Sequence, residues 1–206
     1  QFSSISEFRV HWEKLKGNAL LNSFLNEDHL LFVEQPLHRD CALNDAVVHE
    51  INNWDECPAM IIDESDGELI SLNRALELGY RGTSHKNCKG VFKGIANACK
   101  TQFNRENKEG KWIMSGEDLA NVGPVALLND LTVMSSLGIN HVERNGHHYF
   151  SGLSMYDKDL QKKICCSHED LYSFGELGFP SLIINNGIIS LRMSCFTFKN
   201  VLIVIL

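Results

Sequence analysis

Leu30-Leu31-Phe32-Val33-Glu34-Gln35-Pro36 runs from four apolar residues straight into a carboxylate. The figure returns at Ala59-Met60-Ile61-Ile62-Asp63-Glu64-Ser65. It returns again over Tyr80 to His85, where the run ends on Lys86 and leads into Asn87-Cys88-Lys89-Gly90. The charged ends follow one another at about the length of a βα unit (~30 residues). In a parallel βα barrel the strand ends gather at one rim, and residues there read as catalytic rather than structural. Two carboxylates and an amine on one rim suggest a metal ion and a base.

The rest of the chain supports strands alternating with helices. Ser4 to Leu25 has Phe8, Val10, Trp12, Leu15, Leu20, Leu21 and Phe24 at helical spacing. Helices are also predicted over about 43–54, 68–78 (with Gly79 as C-cap), 90–103 and 124–137, with a polar loop at 104–110. Between them fall strands at 30–34, 59–63, 81–86, 112–114 and 139–143. The fold class is therefore α/β with parallel strands. About five strands precede Arg144, too few to close an eight-stranded barrel, so the expected architecture is a partial TIM-type (β/α) barrel. Beyond it, Asn185-Asn186-Gly187-Ile188 carries an Asn-Gly turn between apolar runs, a hairpin signal. Trp12, Trp54 and Trp112 fall within apolar patterns and are expected in the core.

Composition narrows the partners. With 206 residues, 44% hydrophobic and 22% charged, the chain can bury a sizeable core. A net charge of −7 argues against nucleic acid. Seven cysteines, an odd number without a C-x-x-C pair, fit reduced thiols and a cytoplasmic location better than a disulfide framework or a zinc site. The opening Gln1-Phe2-Ser3-Ser4 has no signal-peptide organisation and no initiating Met, so the chain is expected to begin inside a longer gene product. The run Val201 to Leu206 is too short for a bilayer span, which needs about 20 residues. A buried terminal strand and a stretch foreign to the gene both account for it. The expected division is thus 1–192 as barrel and 193–206 as an apolar tail.

Glu34 and Asp63 sit at equivalent positions on neighbouring strands, which suits a hard cation with oxygen ligands, Mg²⁺ above all. Rim salt bridges explain single acids equally well. A third oxygen ligand is wanted, and no strand-end acid lies upstream of Glu34. Lys86, near a bound cation and partly desolvated, would lose its proton more readily and could serve as a general base. A solvated loop lysine is the plainer reading. Glu117 and Glu143 fall at later strand ends and could contact substrate or return a proton, or could cap helices and pair at the rim. His147 and His148 read as polar loop residues ahead of substrate contacts. Cys165-Cys166-Ser167-His168 lacks metal-ligand spacing.

Glu34-Gln35-Pro36, Asp63-Glu64-Ser65 and Lys86-x-x-Lys89-Gly90 together resemble the C-terminal barrel of the enolase superfamily, in the branch of mandelate racemase and muconate-lactonising enzyme. The resemblance extends through Ser115-Gly116-Glu117-Asp118 and His141-Val142-Glu143-Arg144-Asn145-Gly146, over about residues 1–192. It implies that Glu34 and Asp63 are the second and third Mg²⁺ ligands and that Lys86 is the base on the sixth strand. It also implies that the first ligand strand and a capping domain lie upstream, leaving this chain alone inactive. Val91 stands where a second glycine commonly follows the base motif.

The implied activity is an isomerase or lyase that removes the proton α to the carboxylate of a small-molecule acid and forms a metal-stabilised enolate. Racemisation, epimerisation, cycloisomerisation or dehydration then follows. A homo-oligomer is compatible with this reading; nucleic-acid and membrane partners are not expected. A catalytically incompetent fragment, acting as a structural or interaction remnant of such a barrel, is the alternative. Lys86→Ala is expected to abolish α-proton exchange and leave Mg²⁺ affinity largely intact.

Overall fold

The computed structural model describes residues 1–26, 28–117, 123–143 and 151–190, with strand backbone at 192–193, 196–197 and 201–202. The chain passes through α1 (Ile5–Lys16), α2 (Ala19–Asn22), β1 (Val33–Glu34), α3 (Arg39–Ala42), α4 (Ala46–Asn52), β2 (Met60–Ile62) and α5 (Ser71–Glu77). It continues through β3 (Gly82–His85), α6 (Val91–Asn107), β4 (Ile113–Glu117), α7 (Val125–Ser136), β5 (Val142–Glu143) and α8 (Lys158–Ser167). Short strands β6 (Tyr172–Phe174), β7 (Pro180–Leu182), β8 (Ile188–Ile189), β9 (Arg192–Met193), β10 (Phe196–Thr197) and β11 (Val201–Leu202) follow. Among the described residues no helix is long and apolar enough to cross a membrane.

Strands β1 to β5 form one curled sheet, parallel and in chain order, with helices between them. Val33 pairs with Met60 and Glu34 with Ile61; Ile61 pairs with Gly82 and Ile62 with Thr83; Gly116 pairs with Val142 and Glu117 with Glu143. The predicted α/β class and its five parallel strands are therefore present, as part of a barrel would have them. The strands are shorter than the apolar runs suggest at β1 and β5, and longer at β4.

The chain divides into two compact units, residues 1–84 with 99–114 and residues 85–98 with 115–206. In the first, Ser4 caps α1 by accepting a hydrogen bond from the Glu7 amide. Ile5, Phe8 and Trp12 of α1 are buried in one cluster with Leu37, Val47, Ile51, Trp54, Met60, Ile62, Leu78 and Tyr80. The Phe8 ring lies 5.8 Å from that of Trp12 and 5.7 Å from that of Trp54. Gly79 ends α5 with φ +103°, while Tyr80 N–H returns to Ala75 O at 3.0 Å, the expected left-handed cap. At Gly82 a Cβ would stand 1.7 Å from Ile113 O, so only glycine lets β3 approach this close.

In the second unit Leu127, Leu131 and Met134 bury one stripe of α7, and Asp157 caps α8 by accepting from the Leu160 amide at 2.9 Å. Tyr172–Phe174 and Pro180–Leu182 form an antiparallel pair. Asn186 (φ +51°) and Gly187 (φ +75°) make the predicted two-residue turn, flanked by mutual hydrogen bonds of 3.0 and 2.9 Å between Asn185 and Ile188. In the tail, Val201 pairs with Ile189 and Leu202 with Ile188; residues 203–206 lie outside the described residues.

Three local expectations need correction. The helix expected over 4–25 breaks at Gly17-Asn18, where the Asn18 side chain accepts from the Leu20 and Leu21 amides and starts a new turn. Only Phe8 and Trp12 of the predicted face are buried: Val10, two positions from each, stands on the other side of α1, Leu15 is exposed in its last turn, and Leu20, Leu21 and Phe24 beyond the break are exposed as well. Residues 104–107 continue α6 instead of opening a loop. Trp112 is half-buried, with the Arg81 guanidinium 5.2 Å and the Lys108 amine 5.6 Å from its ring, a cation–π setting rather than a core one.

Candidate metal centre

Each strand that ends in a charge delivers it to the C-terminal edge of the parallel sheet. Glu34 is the last residue of β1 and half-buried; Asp63 directly follows β2 and is 4% exposed. Lys86 directly follows β3, Glu117 is the last residue of β4, and Glu143 the last of β5. Because the strands are parallel, these charges all leave from the same edge of the sheet, while the register staggers them: Glu34 pairs with Ile61, two residues short of Asp63, and Ile62 with Thr83, three short of Lys86.

Glu34, Asp63 and Glu117 offer carboxylate oxygens that all lie within 4.8 Å of one another. The set could hold a metal ion. All three donors are hard oxygens, with no thiol or imidazole among them, which suits Mg²⁺, Mn²⁺ or Ca²⁺ better than zinc or copper. Lys86 Nζ stands 2.7 Å from Glu117 Oε2, and the two side chains are only 11% and 13% exposed. Glu143 is half-buried beside Glu117 in register and is not a member of the three-carboxylate set. His147 and His148 lie outside the described residues, as do Asp118 and the segment Arg144-Asn145-Gly146.

Gln35, read in the sequence only as a letter between Glu34 and Pro36, organises the turn that carries Asp63. Its residue is 4% exposed and its backbone is left-handed at φ +40°. Its Oε1 accepts from the amides of Asp63 at 2.7 Å and Ser65 at 3.3 Å. Its Nε2 donates to Leu37 O and to Ser65 Oγ, both at 2.8 Å. The buried amide thereby satisfies both its donor and acceptor sides while fixing where the Asp63 carboxylate leaves the backbone. The turn closes with Asp66 N–H on Asp63 O at 2.9 Å, and Thr83 Oγ1 of β3 donates to Asp66 at 2.9 Å. A signal was present in the sequence, since Gln and Ser flank the two acids, but its meaning required the pairing of β1 with β2.

His85, buried at 3% exposure, was not singled out in the sequence either. Its Nε2 meets Asn87 Oδ1 at 3.0 Å, and its ring fills the space over Gly94, where a Cβ would come within 2.5 Å of Cε1. The loop after Lys86 is thus anchored on both sides, with Lys89 N–H returning to Lys86 O at 2.9 Å. The six described cysteines are free thiols.

Compared with protein-family models, with curated proteins and with solved structures, the chain has no match in any of the three.

Proposed function

We propose that this protein is a divalent-cation-dependent enzyme that abstracts the proton α to the carboxylate of a small organic acid, as the resemblance to the enolase superfamily implies. The observation that supports it most is the meeting of the Glu34, Asp63 and Glu117 oxygens within 4.8 Å. Those three residues would hold the cation, for which we assign Mg²⁺. A cation there supplies positive charge where negative charge develops on the substrate's carboxylate. The acidity of an α-proton is far too low for a side-chain base to act unaided, which is why carboxylate ligands and a base belong in one site.

In this reading Lys86 Nζ takes the proton. Glu117 takes, in place of the substrate-contacting role expected of it, that of the third oxygen ligand, for which no strand-end acid stands upstream of Glu34. Glu143, one strand further along, faces substrate or returns a proton. Gln35 and the Asp63–Asp66 turn hold the ligand geometry. The overall reaction would be racemisation, epimerisation, cycloisomerisation or dehydration.

The test is to incubate the chain with Mg²⁺ in deuterated water and a panel of acid sugars, N-acyl amino acids and dipeptides, following α-deuterium uptake by NMR. With Glu117 in place of the ligand that the resemblance puts upstream, uptake into at least one acid, lost on removal of Mg²⁺ and in Lys86→Ala, replaces the inactivity of the chain alone as the expected result. Absence of uptake from every acid, with the cation still bound, would favour the alternative of a catalytically incompetent structural or interaction remnant of such a barrel.

A further inference from the structure

We infer that the Lys86 ammonium occupies the carboxylate cluster as its counter-charge and must give up Glu117 before a divalent cation can bind with full affinity. The inference rests on reading Glu34, Asp63 and Glu117 as cation ligands, and it concerns what this chain's own residues do towards that ion.

Three carboxylates with oxygens inside 4.8 Å repel one another, and largely desolvated acids of this kind persist as anions only against positive charge. Lys86 supplies such a charge at 2.7 Å from Glu117 Oε2, in a pair shielded from water at 11% and 13% exposure. At that exposure the interaction is not the weak, screened contact of a surface salt bridge. Glu117 has a second oxygen, so ligation without release of the lysine is sterically open. Charge decides against it: an ammonium and a dication sharing one carboxylate stand a carboxylate's width apart and repel. Amine and cation therefore compete for the same acid, and each weakens the hold of the other by an equal factor. The expectation that removing Lys86 leaves Mg²⁺ affinity intact treats lysine and acids as separate, whereas the ion pair joins them.

Mn²⁺ binding, read as the loss of the free-ion signal in electron paramagnetic resonance, tests this on the full chain without any substrate. Lys86→Met keeps the length of the side chain and removes its charge; it is expected to bind Mn²⁺ about tenfold more tightly than the unaltered protein. Lys86→Arg retains the pair and is expected to bind no more tightly than the unaltered protein. It also serves as the readout should Lys86→Met fail to fold. In a Glu117→Gln background the gain from Lys86→Met should shrink, because the contested acid is gone. Equal or weaker Mn²⁺ binding in Lys86→Met, tighter binding in Lys86→Arg, or an undiminished gain in the Glu117→Gln background would overturn the inference and leave the metal site standing. Failure of the unaltered protein and all variants to bind Mn²⁺ would overturn the metal site and this inference together.

Discussion

Helices α1 and α6 carry the same 3.6-residue period and use it in opposite senses. α1 turns Ile5, Phe8 and Trp12 into an aromatic cluster and leaves its polar residues in water. α6 buries Lys93, Asn97, Thr101 and Asn104, while Phe92 is 88%, Ile95 44% and Phe103 55% exposed. Apolar periodicity therefore announces a helix without announcing which side goes inward. In α1 the buried side follows from hydrophobic burial. In α6 polar groups are buried, and they must find partners or remain a local cost. Lys93 and Asn97 have partners. Asn104 is fully buried, and neither of its side-chain amide atoms has a hydrogen-bond partner among the described residues.

The sharpest way to break this contrast is to truncate one phenylalanine from each helix. Phe8→Ala removes a ring packed between Trp12 and Trp54 and should cost about 3–5 kcal/mol in urea unfolding. Phe92→Ala should change stability by no more than about 0.5 kcal/mol, since that ring touches mostly water. A large loss at Phe92 would mean that the outer face of α6 is covered in solution.

A gain should come from the polar side of α6. Asn104→Leu replaces an amide without partners by an apolar group of similar volume, and should stabilise the protein by about 1 kcal/mol in the same assay. Destabilisation would show that the amide is satisfied.

The smallest effect compares two cysteines. Cys99 lies exposed on the outer side of α6. Cys57 is half-buried against the aromatic core, and desolvation raises its thiol to about 11 despite the opposing charges of Arg81 and Arg9. A raised value favours the neutral thiol, so at pH 8 about one Cys57 in a thousand is the reactive thiolate, rising tenfold per pH unit below 11. Peptide mapping after brief iodoacetamide treatment at pH 8 should find Cys99 labelled and Cys57 unmodified. Comparable labelling would place Cys57 outside the apolar surroundings described for it.

Much of the frame was readable in the sequence because its causes are local. The alternation of elements, five strand ends, the left-handed cap at Gly79 and the Asn186-Gly187 turn each depend on residues within a few positions of one another. The end of the first helix escapes such a reading because one side chain, Asn18, starts a new turn. Among the candidate site residues, Glu34 and Asp63 were found by pattern. The part Gln35 plays is hidden, because three of its four hydrogen bonds, to Asp63 and Ser65, arise only once β1 lies beside β2.

By itself, then, the sequence determined where helices and strands form and that charged groups stand at strand ends, since propensity and periodicity are properties of short segments. Only the tertiary structure decided that Glu117 joins Glu34 and Asp63 and that Lys86 pairs with Glu117. Those approaches are set by which strands pair and in what register, a contest among backbone hydrogen bonds and buried side chains remote from one another in the chain.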